Sequence, residues 1–149
     1  MKMNPLIYKV SLGRVVHYLE SQGYEVKLNS NSFGFFEEDA LITAPTKAHG
    51  TDSMIIGLLH EAGHTVQPRS QFNDLRKSLK RDKAIIIEQE YSAWVYGWTI
   101  AEELYIDTPA LLEAYKQSWL KYWTQYIEYI GKDWSKSDIH HLAESYIES

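Results

Sequence analysis

The chain has 149 residues, 44% of them hydrophobic and 13% aromatic, with a formal net charge of -5. That length predicts one domain able to bury about 70% of its unfolded surface, and the acidic balance excludes a general nucleic-acid binder. The absence of cysteine excludes disulfides and thiolate metal sites, so any metal must be held by His, Asp or Glu.

The first residues, MKMNPLIYKVSLGRVV, hold no apolar run long enough for a signal-peptide core, and no stretch approaches the roughly 18 apolar residues of a membrane span. A soluble, cytoplasmic protein is expected. Leu12, Val15, Val16 and Leu19 share one helical face, predicting a helix over 11–22 that Gly23 can close. Three strand candidates follow. YEVKL (24–28) alternates, NSNS turns the chain, FGFFE (33–37) returns it, and ALITA (40–44) runs until Pro45 stops it. A small antiparallel sheet is the economical arrangement.

Thr51, Asp52 and Ser53 offer N-cap oxygens for a helix that runs to about Val66 and must end before Pro68. A polar, basic stretch occupies 67–83. A long helix is expected from about Ala84 to Leu104. Thr108-Pro109, a cap followed by proline at the first helical position, opens another that reaches Ile130 and closes at Gly131. A last short helix is expected over about 137–147. No internal repeat or linker interrupts the chain. Together these elements predict a mainly helical α+β domain.

Within the helix that follows the sheet lies HEAGH, with His60 and His64 four residues apart and Glu61 directly after the first. Residues four apart on an α-helix sit about 40° apart around its axis, one turn up. Both imidazoles can therefore reach one ion at about 2.0–2.1 Å. Glu61 lies about 100° round from His60, placed to face a water on that ion rather than to ligate it. Ile55, Leu58, Leu59, Ala62 and Val66 fall on the opposite side and are expected in the core, while Gly57 and Gly63 border the histidine face and leave it room.

A catalytic zinc takes three protein ligands and keeps one position open. On the next long helix Ile86, Ile87, Glu90, Ala93, Trp94, Gly97, Ile100, Ala101 and Leu104 form a stripe of period 3.6 in which Glu90 is the single charge. Glu88 lies about 160° away on the polar side. A buried, unpaired carboxylate costs several kcal/mol unless something compensates it, and a divalent cation does so. Glu90 is thus the expected third ligand, and Ala93, Gly97 and Ala101 keep the stripe thin enough for a second helix to approach.

This pattern resembles zincin metallopeptidases of the gluzincin type, in which HExxH on one helix is joined by a glutamate from a later one. Glu90-Tyr91-Ser92-Ala93 resembles the Glu-x-x-Ala signature of the HtpX-like and ImmA/IrrE groups, and Ala93-Trp94 is similar to small metallopeptidase-like proteins of phages and bacteria. The likeness covers about residues 40–105. It implies zinc held by His60, His64 and Glu90, Glu61 as general base, and ALITA as the edge strand against which a peptide or protein substrate pairs. The related signatures usually place Asp or Asn four residues after the glutamate. Here Trp94 stands there, and its N–H can only donate, so another carbonyl or carboxylate must orient a ligand histidine.

The function these residues predict is hydrolysis of a peptide bond: metal-bound water loses its proton to Glu61, which then passes it to the leaving amine. Tyr115, Trp119, Tyr122, Tyr126 and Tyr129 follow a helical rhythm read mainly as a core seam, with Tyr122 a candidate for oxyanion stabilisation. His140 and His141 read as helix surface. The segment 69–83 holds six of the fifteen Lys and Arg against two Asp, so it carries +4 and the remainder -9. It reads as a solvated helix pinned by Phe72, Leu75 and Leu79, with an acidic-substrate or nucleic-acid role as the sharper alternative. The rival function is a binding or regulatory module on the same scaffold, its zinc structural and closed by a fourth ligand such as His49 or His140.

Overall fold

The computed structural model describes residues 2–67, 79–106 and 108–130, with the side chains at 79–88, 91 and 122–130 outside that description. The basic stretch before Leu79, the side chains of Glu88, Tyr122, Tyr126 and Tyr129, the pair His140–His141 and the helix expected over 137–147 therefore lie outside the described residues.

The side-chain oxygen of Asn4 accepts the amides of Leu6 and Ile7 at 3.0 and 3.3 Å. Pro5 takes the first helical position, where a missing N–H costs nothing, and α1 spans Pro5–Ser21. It begins well before the expected start at residue 11. Leu6, Ile7 and Val10 in the added turns are solvent-exposed, so no apolar stripe announces them. Ser11, Val15 and Leu19 are the residues α1 buries. Gly23 ends it in the left-handed region, φ 94°, a conformation glycine adopts without a Cβ penalty.

The strands are β1 (Glu25–Ser30), β2 (Gly34–Phe36) and β3 (Leu41–Pro45), and their spatial order is β1-β3-β2. The pairing differs from the antiparallel sheet expected from the sequence. β2 and β3 are antiparallel, with Phe35 opposite Ile42, but β1 and β3 run parallel, with Val26 opposite Ile42. ALITA is thus the central strand and not an edge, and β2 is the edge toward the cleft. The cause lies in burial. Ile42, Thr43, Ala44 and Pro45 are consecutively buried, whereas β1 alternates between half-buried and exposed. A strand covered on both faces belongs in the middle. A 3-10 turn at Glu37–Asp39 and Ala40 in the left-handed region (φ 47°) bring β3 in beside β1, where the Glu25 amide donates to the Ala40 carbonyl at 2.8 Å.

The helical body follows as α2 (Asp52–Val66), α3 (Leu79–Glu103) and α4 (Pro109–Ile130). Thr51 stands at the cap position of α2, but its hydroxyl donates back to the Ala48 carbonyl at 2.7 Å rather than capping the helix. Met54, Ile55, Leu58, Leu59 and Ala62 are fully buried, each large side chain stabilising the fold by about 1.5–3 kcal/mol. Val66 departs from expectation. It is 42% exposed, because it occupies the last turn, just before the chain leaves the helix at Gln67.

Where α2 meets α3, Gly63 lies against the backbone of Ala93 and Gly97, and Gly97 lies against the Leu59 carbonyl and the Tyr115 hydroxyl. A side chain at either glycine would collide with main chain. Gly63 therefore serves the helix crossing and not the room around the histidines. Ala93 and Gly97 keep α3 thin, as the stripe predicts. The far end of α3 stops at Tyr105 (φ 57°), where the Arg14 guanidinium donates to the carbonyls of Leu104 and Tyr105 at 3.3 and 3.1 Å. Among the described residues no helix is long and apolar enough to cross a membrane.

Candidate metal centre

The helix crossing sets Glu90 directly above the histidine face of α2. Glu90 Oε2 lies 3.0 Å from His60 Nε2, and Oε1 lies 3.5 Å from His64 Nε2. One ligand atom from each of the three residues falls within 4.8 Å of the others. Ligand atoms at about 2.0–2.1 Å from a tetrahedral zinc are about 3.3 Å apart, and the two nitrogen–oxygen separations bracket that spacing. The donor set, two imidazoles and one carboxylate, is one that suits zinc.

All three side chains sit at the floor of a cleft of about 640 Å³ whose walls include Phe33, Gly34 and Phe35 from the sheet edge, Ile56 and Gly57 from α2, Trp94 from α3 and Ser118 from α4. Glu61 lines the same cleft and is buried, with 8% of its surface exposed. Gly57 fits under the ring of Phe33, which occupies the place a side chain there would take.

Aromatic rings hold both histidines. Trp94 lies against His60 with ring centroids 4.3 Å apart, and Phe35 stacks parallel on His64 at 5.9 Å with an interplanar angle of 4°. Behind Trp94, the buried Tyr115 packs edge-on at 5.0 Å and donates its hydroxyl proton to the Trp94 carbonyl. Tyr115 and Trp119 are both core residues, as the seam reading expects. Burial holds the Tyr115 phenol well above its ordinary range, so it stays neutral.

Four titratable groups, His60, Glu61, His64 and Glu90, share the cleft. Burial pushes Glu61 up to about 7, with His60 opposing and Glu90 adding to the rise. Burial, together with the neighbouring His60, brings His64 down to about 4, against the pull of Glu90. Burial acts against the Glu90 carboxylate, but the hydrogen bond from His60 and the charges of both histidines outweigh it and hold Glu90 below its ordinary value. The result is a neutral His64 and an ionised Glu90, the protonation states a metal requires.

The structure thus brings together His60, Glu61, His64 and Glu90. It does not bring His49 to them: His49 is exposed, and its Nε2 is 2.8 Å from the Leu28 carbonyl oxygen beside the sheet. Phe33 and Phe35 are site residues that sequence reasoning missed. They carry no signal beyond membership of a strand.

Set against known protein families, curated proteins and solved structures, the chain finds no match.

Proposed function

We propose that this chain is a zinc-dependent metallopeptidase acting in the cytoplasm on an extended peptide or protein segment. The observation that carries the proposal is the convergence of His60, His64 and Glu90 within ligand distance of one another, beside a buried carboxyl that is not one of them. Zinc at this position would supply a Lewis acid and a water acidified to a pKa of about 7. His60, His64 and Glu90 would hold the ion. Glu61, the buried carboxyl beside the three ligands, would accept the proton of such a water and return it to the departing amine.

The substrate backbone runs beside β2, whose outer edge is unpaired by any described strand, and pairs with it as an added strand. Phe33, Phe35, Ile56 and Trp94 supply apolar walls beside the reacting groups. Among the described residues no fourth His, Asp or Glu joins the cluster. Hydrolysis needs an open position, whereas a structural zinc would be closed by a fourth protein ligand.

The test is Glu61→Gln in the full chain. Zinc content, measured by elemental analysis of untagged protein, stays at the wild-type value while peptide cleavage is lost. Cleavage at the wild-type rate by Glu61→Gln rules out this mechanism. Because such an enzyme can be confined to one partner, the assay uses a diverse peptide library in place of casein.

A further inference from the structure

Resting on the peptidase reading above, we propose that Phe33 is a specificity-determining residue. Its ring, seated on the bare backbone of α2 at Gly57, limits the substrate side chain on that side of the scissile bond to a small, uncharged one. Three observations carry this.

The first is where the ring lies. The atoms nearest to a side chain built at position 57 are Cε1, Cζ and Cδ1 of Phe33. Gly57 stands in the interior of α2, where glycine weakens a helix relative to alanine. Gly63 on the same helix answers to the backbone of α3, whereas Gly57 answers to the Phe33 ring. Gly57 precedes His60 by three residues and Glu61 by four, so it shares their face one turn earlier. Phe33 and Gly57 both line the cleft, and the ring borders the reacting groups along α2.

The second is the relation of Phe33 to Phe35. The two flank Gly34 and both meet α2, as residues two apart on a strand can. Phe33 lies on Gly57, and Phe35 stacks on His64 with ring centroids 5.9 Å apart. Gly57 and His64 are seven residues apart, about 10 Å along a helix, and His60 and Glu61 lie between them. The two rings thus bracket the reacting groups, and a peptide laid along the outer edge of β2 passes both. Phe35 is engaged with a ligand histidine, which leaves Phe33 as the ring that meets a substrate side chain.

The third is what surrounds the ring. The hydroxyl of Thr43, buried in the central strand β3, donates to the Ser32 carbonyl at 2.9 Å, and Gly34 pairs with Thr43 across the β2–β3 ladder. The chain is therefore pinned on both sides of Phe33. Beside Gly57 on α2, Ser53 and Ile56 also line the cleft. Among the described residues the ionisable groups of the cleft are His60, Glu61, His64 and Glu90 alone. No other group there can pair with a charged substrate side chain, and burying an unpaired charge is costly. A ring held in place beside an uncharged wall selects a small apolar or hydroxyl-bearing residue.

The experiment offers a peptide library to zinc-loaded, full-length wild type, Phe33→Ala and Phe33→Leu. The two residues flanking the cleaved bond run through Ala, Ser, Val, Leu, Phe, Trp, Lys and Asp, and cleavage sites are read by mass spectrometry. In wild type one flanking position should favour Ala, Ser and Val over the aromatic and charged residues. At that position alone, Phe33→Ala should raise kcat/KM for Phe relative to Ala by roughly 10–200-fold, and Phe33→Leu by less. Lys and Asp should stay disfavoured there in all three proteins. Zinc affinity, read by competition with a chromophoric chelator and expected to be alike, separates the wall from the metal centre. Three results overturn the assignment while leaving the peptidase standing: a wild type that tolerates every side chain at both positions, an unchanged Phe-to-Ala ratio in Phe33→Ala, or a shift spread evenly over both positions. A zinc-loaded wild type that cleaves no peptide of the library overturns both.

Discussion

Metal-free protein carrying Glu61→Gln should be more stable than wild type above pH 7, and by an amount the site predicts. Glu61 is buried, and that burial lifts its carboxyl from 4.5 to about 7, with His60 opposing and Glu90 adding to the rise. Between those two values the folded protein holds a proton that the unfolded chain has already released. The group's contribution is therefore complete below pH 4.5 and is lost as the pH climbs to about 7. At 1.36 kcal/mol per pKa unit the loss reaches about 3 kcal/mol. Glutamine has nearly the same shape and cannot ionise, so it never incurs that loss. For a chain of this length the difference corresponds to roughly 6–12 °C in Tm. His64 acts in the opposite sense. With its pKa at about 4, the unfolded chain takes up the proton first, so stability falls as the pH drops from 6.5 toward 4. That slope is common to both proteins and cancels in their difference. Thermal and urea unfolding in the presence of a chelator, from pH 4 to pH 8.5, measures the divergence. Parallel stability profiles for the two proteins would refute the reasoning, since they would mean that Glu61 ionises as freely in the fold as in the unfolded chain.

Glu90→Ala removes one of three ligand side chains and should weaken zinc binding by more than about 100-fold, as seen in chelator competition; an unchanged affinity removes Glu90 from the centre. Gly63→Ala drives a methyl group into the Ala93 carbonyl at the crossing of α2 and α3. Since main chain cannot swing aside as a side chain does, the cost should be about 3 kcal/mol or more, visible as a large drop in Tm. Tyr115→Phe removes the phenol that donates to the Trp94 carbonyl; that carbonyl lies in the middle of α3, so only one hydrogen bond is lost and the cost should be about 0.5–1.5 kcal/mol in urea unfolding.

The helices of the site were legible because both signals are periodic. HEAGH places two imidazoles on one face by spacing alone, and a lone acid in an apolar stripe draws attention to Glu90. What periodicity could not supply was the sheet. The segments 24–28, 33–37 and 40–44 alternate or run apolar as strands should, yet their order depends on which one is covered on both faces. The contrast between YEVKL, which alternates, and LITAP, which is buried from Ile42 onward, carried that information, but the short connections favoured hairpins. Gly63 shows a second kind of ambiguity. A small residue beside a functional face can make space for a ligand or contact for a neighbour, and only the position of α3 distinguishes them. The early turns of α1 escaped because a cap and a proline, Asn4 and Pro5, start the helix where no buried residue marks it.

The geometry of the centre follows from how closely two helices approach. Gly63 and Gly97 let the backbones of α2 and α3 touch, and this contact places Glu90, two turns before Gly97 on α3, at 3.0 and 3.5 Å from the two imidazoles. Larger residues at the crossing would lift α3 by the thickness of a side chain and carry the carboxylate out of ligand range. The same closeness sets the surroundings of the two imidazoles, with an indole and not a carboxylate at position 94. Trp94 is pressed against His60 and backed by Tyr115, so that ring is oriented by packing, and His64 is stacked by Phe35. Packing against a flat ring restricts an imidazole's tilt, and a hydrogen bond selects its tautomer. In this protein the first task falls to the aromatic residues Trp94 and Phe35.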